Sequence, residues 1–404
     1  MPKGFFPQTI WKKQARPLPL IPDCDKCGLY KLCNSPKMPV SGKGRRRVLI
    51  VAEAPGENED RQGYQLVGNA GMELVKILYK LGINMRKDCW LTNANICRPT
   101  DENGSNRTPT DSEIAYCRPN LIKTLKELSP DVIIPLGESA LKSLIPLAWK
   151  DGEVSDVGAW VGWNIPSVKL NAWICPTYHP SFLLRNKEPV IALMMTNHLR
   201  EAFKHKSKPW KEKPDWENRV FRLYNSVAAA KAIREMMIQG EPLAFDYETN
   251  MKKPDSDKAE IICCSLSNGR ESIAFPWDGE AIEAMSDFLR SDIPKIGANL
   301  QFEERWTRKK LGFGVRNWRG GWDTVTGAHW LDCRSGICSV KFQSFVLLGA
   351  EDYSSWVEPF LRSKDSNSPN RIREIGIPDL LLYCGLDSLF EYLIAQKQMK
   401  EAGV

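Results

Sequence analysis

Histidine is nearly missing from this 404-residue chain: only His179, His198, His205 and His329 occur, which argues against a histidine-rich metal site. Also missing is any run of about 18 apolar residues able to span a bilayer, so no membrane partner is expected. The opening MPKGFFPQTIWKKQ lacks the apolar stretch and small-residue cleavage site of a secretory signal, which makes the cytoplasm the default compartment. Internal repeats and low-complexity tracts are lacking too. Acidic residues are scarce at the start, where residues 1–47 hold eleven Lys/Arg against Asp23 and Asp25 alone. Such a basic arm, with Arg45, Arg46 and Arg47 in a row, suits phosphates and the release of their counterions. Cysteine, by contrast, is plentiful at twelve residues, and in a reducing compartment that number points to metal or core roles rather than disulfides.

The length predicts two or three domains. Residues 47–180 alternate short apolar runs with helical patterns, as an α/β domain with a largely parallel sheet does. RVLIVAEAPG predicts a buried strand, Ala70 to Leu81 a helix, WLTNAN and DVIIPLG two further strands. Thr110 followed by Glu113 is a capping box opening a helix to about Leu128. Six Lys/Arg in REAFKHKSKPWKEK mark a linker at 205–218. A second α/β pattern follows, with strands near 243–247, 260–266 and 272–275 and mostly helices from 303 onward. The expected division is a basic arm at 1–23, a first domain at 24–204 and a second at 219–404.

In the second domain, Asp246 and Glu248 of LAFDYET lie two apart on a strand and share a face. Tyr383 and Asp387 of YCGLDSLFEYL lie four apart on a helix and share one too. GANLQFEERW supplies Asn299, Glu303 and Glu304 between them. Carboxylates converging from a strand and two helices repel one another unless a hard cation sits among them, which suggests Mg²⁺ or Mn²⁺. Two such ions could hold a scissile phosphate, activate a water and stabilise the leaving oxygen, with Tyr383 orienting that water. The ordered set resembles the 3′–5′ proofreading exonuclease domain of family A DNA polymerases across about 220–404, DTVTGAHWLD included. That resemblance implies a ribonuclease-H-like α/β fold, with Asp246, Glu248, Glu303, Tyr383 and Asp387 as the catalytic and magnesium-binding set and Asn299 near the substrate. One position departs: Glu303 stands where the family has Asp, and its longer side chain would shift a metal.

In the first domain, Cys24 and Cys27 form CxxC, while Cys97 and Cys117 bracket a distant segment. Four thiolates in two pairs suit an iron-sulfur cluster or a Cys₄ zinc site, with Cys33 a possible fifth participant and buried free thiols a standing alternative. AEAPGENEDRQGYQLVGNAG, TNANICRPT, NRTPTDSEI and YHPSFLLR, in that order, resemble the iron-sulfur uracil-DNA glycosylases of family four across about 24–200. The resemblance implies a three-layer α/β domain with a parallel sheet and a 4Fe-4S cluster on Cys24, Cys27, Cys97 and Cys117. It makes Asn93 the reader of the uracil edge, His179 the donor to the departing anion, and Glu53 and Glu59 candidates for positioning water or the sugar cation. Asn106, Leu183 and Arg185 join the DNA-contacting residues. Gln65-Leu66-Val67-Gly68 replaces the family's PFVG, so Leu66 stands where uracil stacks on Phe.

The pair of domains resembles the N-terminal portion of certain bacteriophage family A polymerases, which implies a replication or repair role in a bacterial host cell. The chain ends seventeen residues after Asp387, leaving no room for a polymerase domain, so a stand-alone exonuclease partnered with a separate DNA polymerase subunit, or a fragment, is expected. The expected substrates are single-stranded DNA or primer 3′ ends, uracil-containing DNA among them. The alternative is a non-catalytic DNA-binding accessory or assembly subunit of that polymerase.

Overall fold

The computed structural model describes residues 21–186 and 188–404; apart from its last three residues, the basic arm at 1–23 lies outside them. Two compact units are present. The first takes the described residues up to Lys213 together with Phe345–Glu351; the second takes Pro214–Ser344 and Asp352–Val404.

Five strands build the sheet of the first unit: β1 (Val48–Ala52), β2 (Cys89–Asn93), β3 (Val132–Pro135), β4 (Ile165–Ser167) and β5 (Ala172–Ile174). Their order is β2-β1-β3-β5-β4, parallel throughout except for β4 against β5. All five residues of β1 are buried, as befits a central parallel strand covered on both faces, and this is why its sequence is an unbroken apolar run. Leu74 and Leu78 of the helix Asn69–Lys80 pack into the core beside β1. The helix Asp111–Leu128 begins at the predicted capping box, Thr110 Oγ1 accepting from Glu113 N at 3.2 Å and the Glu113 carboxylate accepting from Thr110 N at 2.7 Å. Phe345 completes an aromatic cluster of this unit, stacked on Trp149 with ring centroids 4.9 Å apart and edge-on to Trp160. Gly349 lets the returning segment approach closely, because a Cβ there would meet the Pro166 carbonyl oxygen at 1.8 Å.

The second unit holds a six-stranded sheet of β6 (Val220–Arg222), β7 (Leu243–Thr249), β8 (Ile261–Ser267), β9 (Ser272–Pro276), β10 (Lys295–Gly297) and β11 (Trp322–Asp323), in the order β11-β10-β7-β8-β9-β6. β7, β8 and β9 form an antiparallel meander, and β10 and β11 run parallel to β7. This is the ribonuclease-H-like arrangement, with β7 at its middle. The helix Ile377–Ala402 packs on β7, β8 and β9. Its seat is fixed at Gly385, where a Cβ would fall 2.3 Å from Val220 Cγ1, and by Ser265 Oγ, which donates to the Cys384 carbonyl at 2.7 Å. Among the described residues, no helix is long and apolar enough to cross a membrane.

Candidate active sites

Alternation along β7 turns Asp246 and Glu248 to one face, and the helix Ile377–Ala402 brings Tyr383 and Asp387 to it. Glu303, in the first turn of the helix Gln301–Leu311, is 2% exposed and keeps Oε2 buried with no hydrogen-bond partner. Asn299 is exposed at the entry to that helix, in left-handed backbone, with its N–H given to Asp323 Oδ1 at 3.1 Å. Glu304 turns away and accepts from Val315 N at 2.8 Å and Trp318 Nε1 at 3.0 Å.

Two residues outside every sequence motif complete this centre. Lys341 Nζ donates to both carboxylate oxygens of Asp387 at 2.7 Å, and the Tyr353 hydroxyl donates to Asp387 Oδ1 at 2.6 Å. Burial works against the Lys341 charge, yet Asp387 beside it holds its pKa above the ordinary value. One ammonium does not balance so many acids. Burial, then the neighbouring Asp387, pushes the Asp246 carboxyl up to about 7. Burial and Asp246 raise Glu248, Glu303 and Glu391 well above the carboxylate range. Burial and Asp387 raise the Tyr383 hydroxyl, which stays protonated. Such a set holds either protons or a cation. A divalent ion fits: Asp246, Glu248 and Cys384 offer ligand atoms within 4.8 Å of one another, and Glu303 has an oxygen to spare.

The second candidate site gathers at the carboxyl ends of the parallel strands in the first unit, where α/β folds commonly bind ligands. Glu53 follows β1, Asn93 ends β2, Gly137 follows β3, and His179 lies beyond β5. Asn93 is 3% exposed, and its Nδ2 has no partner. The His179 pKa is lowered to about 4 by burial, with Arg185 adding to the effect. Its Nδ1 accepts from Ser181 N at 3.3 Å and lies 2.8 Å from Ser181 Oγ, so the neutral ring carries its hydrogen on Nε2. Gly137, at φ +78°, admits the ring's backbone, since a Cβ there would meet His179 Cβ at 2.9 Å.

Burial raises the Glu53 pKa while Ser139 Oγ donates to it at 3.1 Å. Glu59 is committed to the backbone, accepting from Val67 N at 3.0 Å and Gly68 N at 2.7 Å, which pins the loop bearing Leu66. Leu66 itself is buried with φ +55°. Asn106 accepts from Arg98 Nε at 2.7 Å and sits against the Gly56 turn. Leu183 and Arg185 lie on the short helix Ser181–Arg185, Leu183 half-buried and Arg185 exposed.

Cys24, Cys27, Cys97 and Cys117 line one cavity together with Tyr30, Lys37 and Asn120. Amide groups point at the sulfurs: Lys37 N at 3.2 Å from Cys97 Sγ, and Ile96 N and Asn120 Nδ2 at 3.5 and 3.4 Å from Cys117 Sγ. Burial pushes the Cys97 thiol up to about 12 and raises Cys27 and Cys117 as well. Burial thus disfavours the thiolate at Cys27, Cys97 and Cys117, and the amide donors would suit thiolates held by a metal. Cys33 is close enough to Cys97 for their charges to interact.

Residues 39–212 match the family model described as the uracil DNA glycosylase superfamily. The chain is 39% identical to the type-4 uracil-DNA glycosylase of Pyrobaculum aerophilum over 168 residues, 41% of this chain and 82% of that protein. It is 35% identical over 298 residues to a DNA polymerase of Bacillus phage SP01, 68% of this chain and 32% of that protein, so it spans about a third of the polymerase. Among solved structures it is similar to RNase D of Escherichia coli, at 14% identity with a TM-score of 0.32, over 45% of this chain and 44% of that one.

Proposed function

Since this chain belongs, through residues 39–212, to the uracil DNA glycosylase superfamily and within it to the type-4 enzymes, we propose that it processes DNA at two sites: a metal-dependent 3′–5′ exonuclease centre of the proofreading type and a uracil-engaging pocket. The observation that carries the nuclease half is the close approach of Asp246 and Glu248, which offer ligand oxygens within 4.8 Å of each other, with Asp387 and Glu303 near enough for their charges to act on Asp246 and an oxygen of Glu303 left unpaired. Asp246, Glu248 and Glu303 would hold Mg²⁺ or Mn²⁺. Bound there, such an ion, or the pair of ions expected from the sequence, supplies a polarised phosphate and a water of lowered pKa. The protonated Tyr383 hydroxyl orients that water. The Lys341 ammonium adds positive charge on the Asp387 side, where a phosphate would gain from it.

In the pocket, the unpartnered Asn93 amide reads the base edge, and the neutral His179 donates from Nε2 to the uracil oxygen as negative charge develops there. Leu66 gives up an aromatic platform, a loss of about 1–3 kcal/mol of stacking per base. Cys24, Cys27, Cys97 and Cys117 would hold the 4Fe-4S cluster, which ties the N-terminal segment to the helix Asp111–Leu128. A brown protein with broad visible absorbance, rather than a colourless zinc form, is the expected state.

A second reading, a DNA-binding accessory subunit of a separate polymerase, is favoured by Asp387, whose two oxygens already have protein donors. One experiment separates the two readings. A labelled 3′-mismatched primer, with and without uracil, is incubated with the chain and Mg²⁺. Shortening that Asp246→Ala abolishes establishes the nuclease, and abasic sites that His179→Ala abolishes establish the glycosylase. DNA binding with neither product leaves the accessory reading.

A further inference from the structure

Cys384 lies between Tyr383 and Asp387 and is fully buried. A buried cysteine is ordinarily a small apolar filler, but this one faces carboxyl groups. Its Sγ stands 3.8 Å from the Asp246 carbonyl oxygen and 3.9 Å from Asp246 Oδ2. With one oxygen each from Asp246 and Glu248 it forms a triad whose ligand atoms all lie within 4.8 Å of one another. The backbone that carries the thiol is held in place, because Ser265 Oγ donates to the Cys384 carbonyl and the sheet packs closely on Gly385. A second, independent feature points to a ligand at the same place. Glu303 is 2% exposed, its Oε2 has no partner, and Asp246 is the neighbouring charge that acts on it most strongly.

We propose that this centre is a mixed oxygen-sulfur site that takes a thiophilic divalent ion of the Zn²⁺ type on Asp246, Glu248 and Cys384. The inference rests on reading the acids as a metal centre and adds which ions it selects. Mg²⁺ takes hard oxygen ligands and keeps its waters, so a sulfur in the shell gives it nothing. Zn²⁺ combines thiolate and carboxylate readily at low coordination number. On binding, Cys384 forms a sulfur-metal bond, the thiol proton and the protons held by the Asp246 and Glu248 carboxyls leave to water, and no electron changes hands. A zinc ion seated there occupies the carboxylates that Mg²⁺ needs, so the two ions compete.

The test uses the full chain with its four N-terminal cysteines loaded with their cluster, titrated with Co²⁺. One equivalent is expected to produce the near-ultraviolet thiolate-to-cobalt charge-transfer band. Zn²⁺ should bleach that band and millimolar Mg²⁺ should not. Cys384→Ser and Cys384→Ala should each abolish the band and weaken Zn²⁺ binding by at least about tenfold, the lower end of what losing even a supporting partner costs a metal site. Circular dichroism of both variants confirms that they fold. No band in the wild type, or a band that survives both substitutions, overturns the inference. Mg²⁺-dependent primer shortening without any band sinks the inference alone. A Cys384-dependent band without primer shortening under any ion supports it while the nuclease reading falls.

Discussion

Lys341 Nζ sits 2.7 Å from each carboxylate oxygen of Asp387, so the acid centre contains its own cation. Lys341→Met removes that cation and leaves Asp387 charged and buried. Breaking a buried pair from one side costs about 3–5 kcal/mol. Urea unfolding in EDTA is expected to show a loss of that size, partly restored by Mn²⁺, which can neutralise the same carboxylates. An unchanged midpoint would mean that Asp387 is balanced by another group.

His179 has its pKa lowered to about 4, chiefly by burial. It is therefore neutral in the folded protein across the range in which an ordinary imidazole titrates. Uracil release is expected to show no inflection near pH 6.5, and a histidine inflection there would contradict the Nε2-donor role. Stability behaves differently. Below pH 6.5 the unfolded chain takes up a proton that folded His179 refuses, so this residue contributes stability above pH 6.5 that is lost as pH falls toward 4. Thermal melts of wild type and His179→Gln should converge at high pH and diverge in that acid window, with the wild type losing more.

If the proposed pocket stacks uracil at position 66, Leu66→Phe would supply an aromatic surface there. Stacking worth about 1–3 kcal/mol should tighten binding to a uracil-containing single strand roughly tenfold, with less change for thymine-containing DNA. The backbone at φ +55° is equally strained for Leu and Phe, so no stability change from that source is expected. Fluorescence anisotropy with the two oligonucleotides measures the difference.

Gly385→Ala introduces a methyl group 2.3 Å from Val220 Cγ1. Overpacking of this kind costs about 1–3 kcal/mol. Val220→Ala in the same chain should return most of it, as a thermal or urea double-mutant cycle would show.

Much of this architecture is written locally. β1 reads as an apolar run because it is covered on both faces, and the helix at Asp111 opens on Thr110 and Glu113 as their spacing requires. Asp246 with Glu248, and Tyr383 with Asp387, could be paired from strand and helix periods alone. Lys341 and Tyr353 could not, because they belong to no repeat or motif and reach Asp387 across 46 and 34 residues. Strand β11 was equally hidden, two residues being too few to show a period. Glu59 illustrates the reverse difficulty. Its residue type fits a role in chemistry, but its oxygen is engaged by Val67 N and Gly68 N, an arrangement that depends on how the loop closes.

Phe345–Glu351, late in the sequence, completes the first unit. A gene fragment ending at Lys213 would encode every strand of that unit's sheet and still omit the ring that stacks on Trp149. Shuffling this glycosylase-like half into other proteins as a contiguous cassette therefore carries a handicap: the piece that seals its tryptophans is encoded about 130 codons downstream.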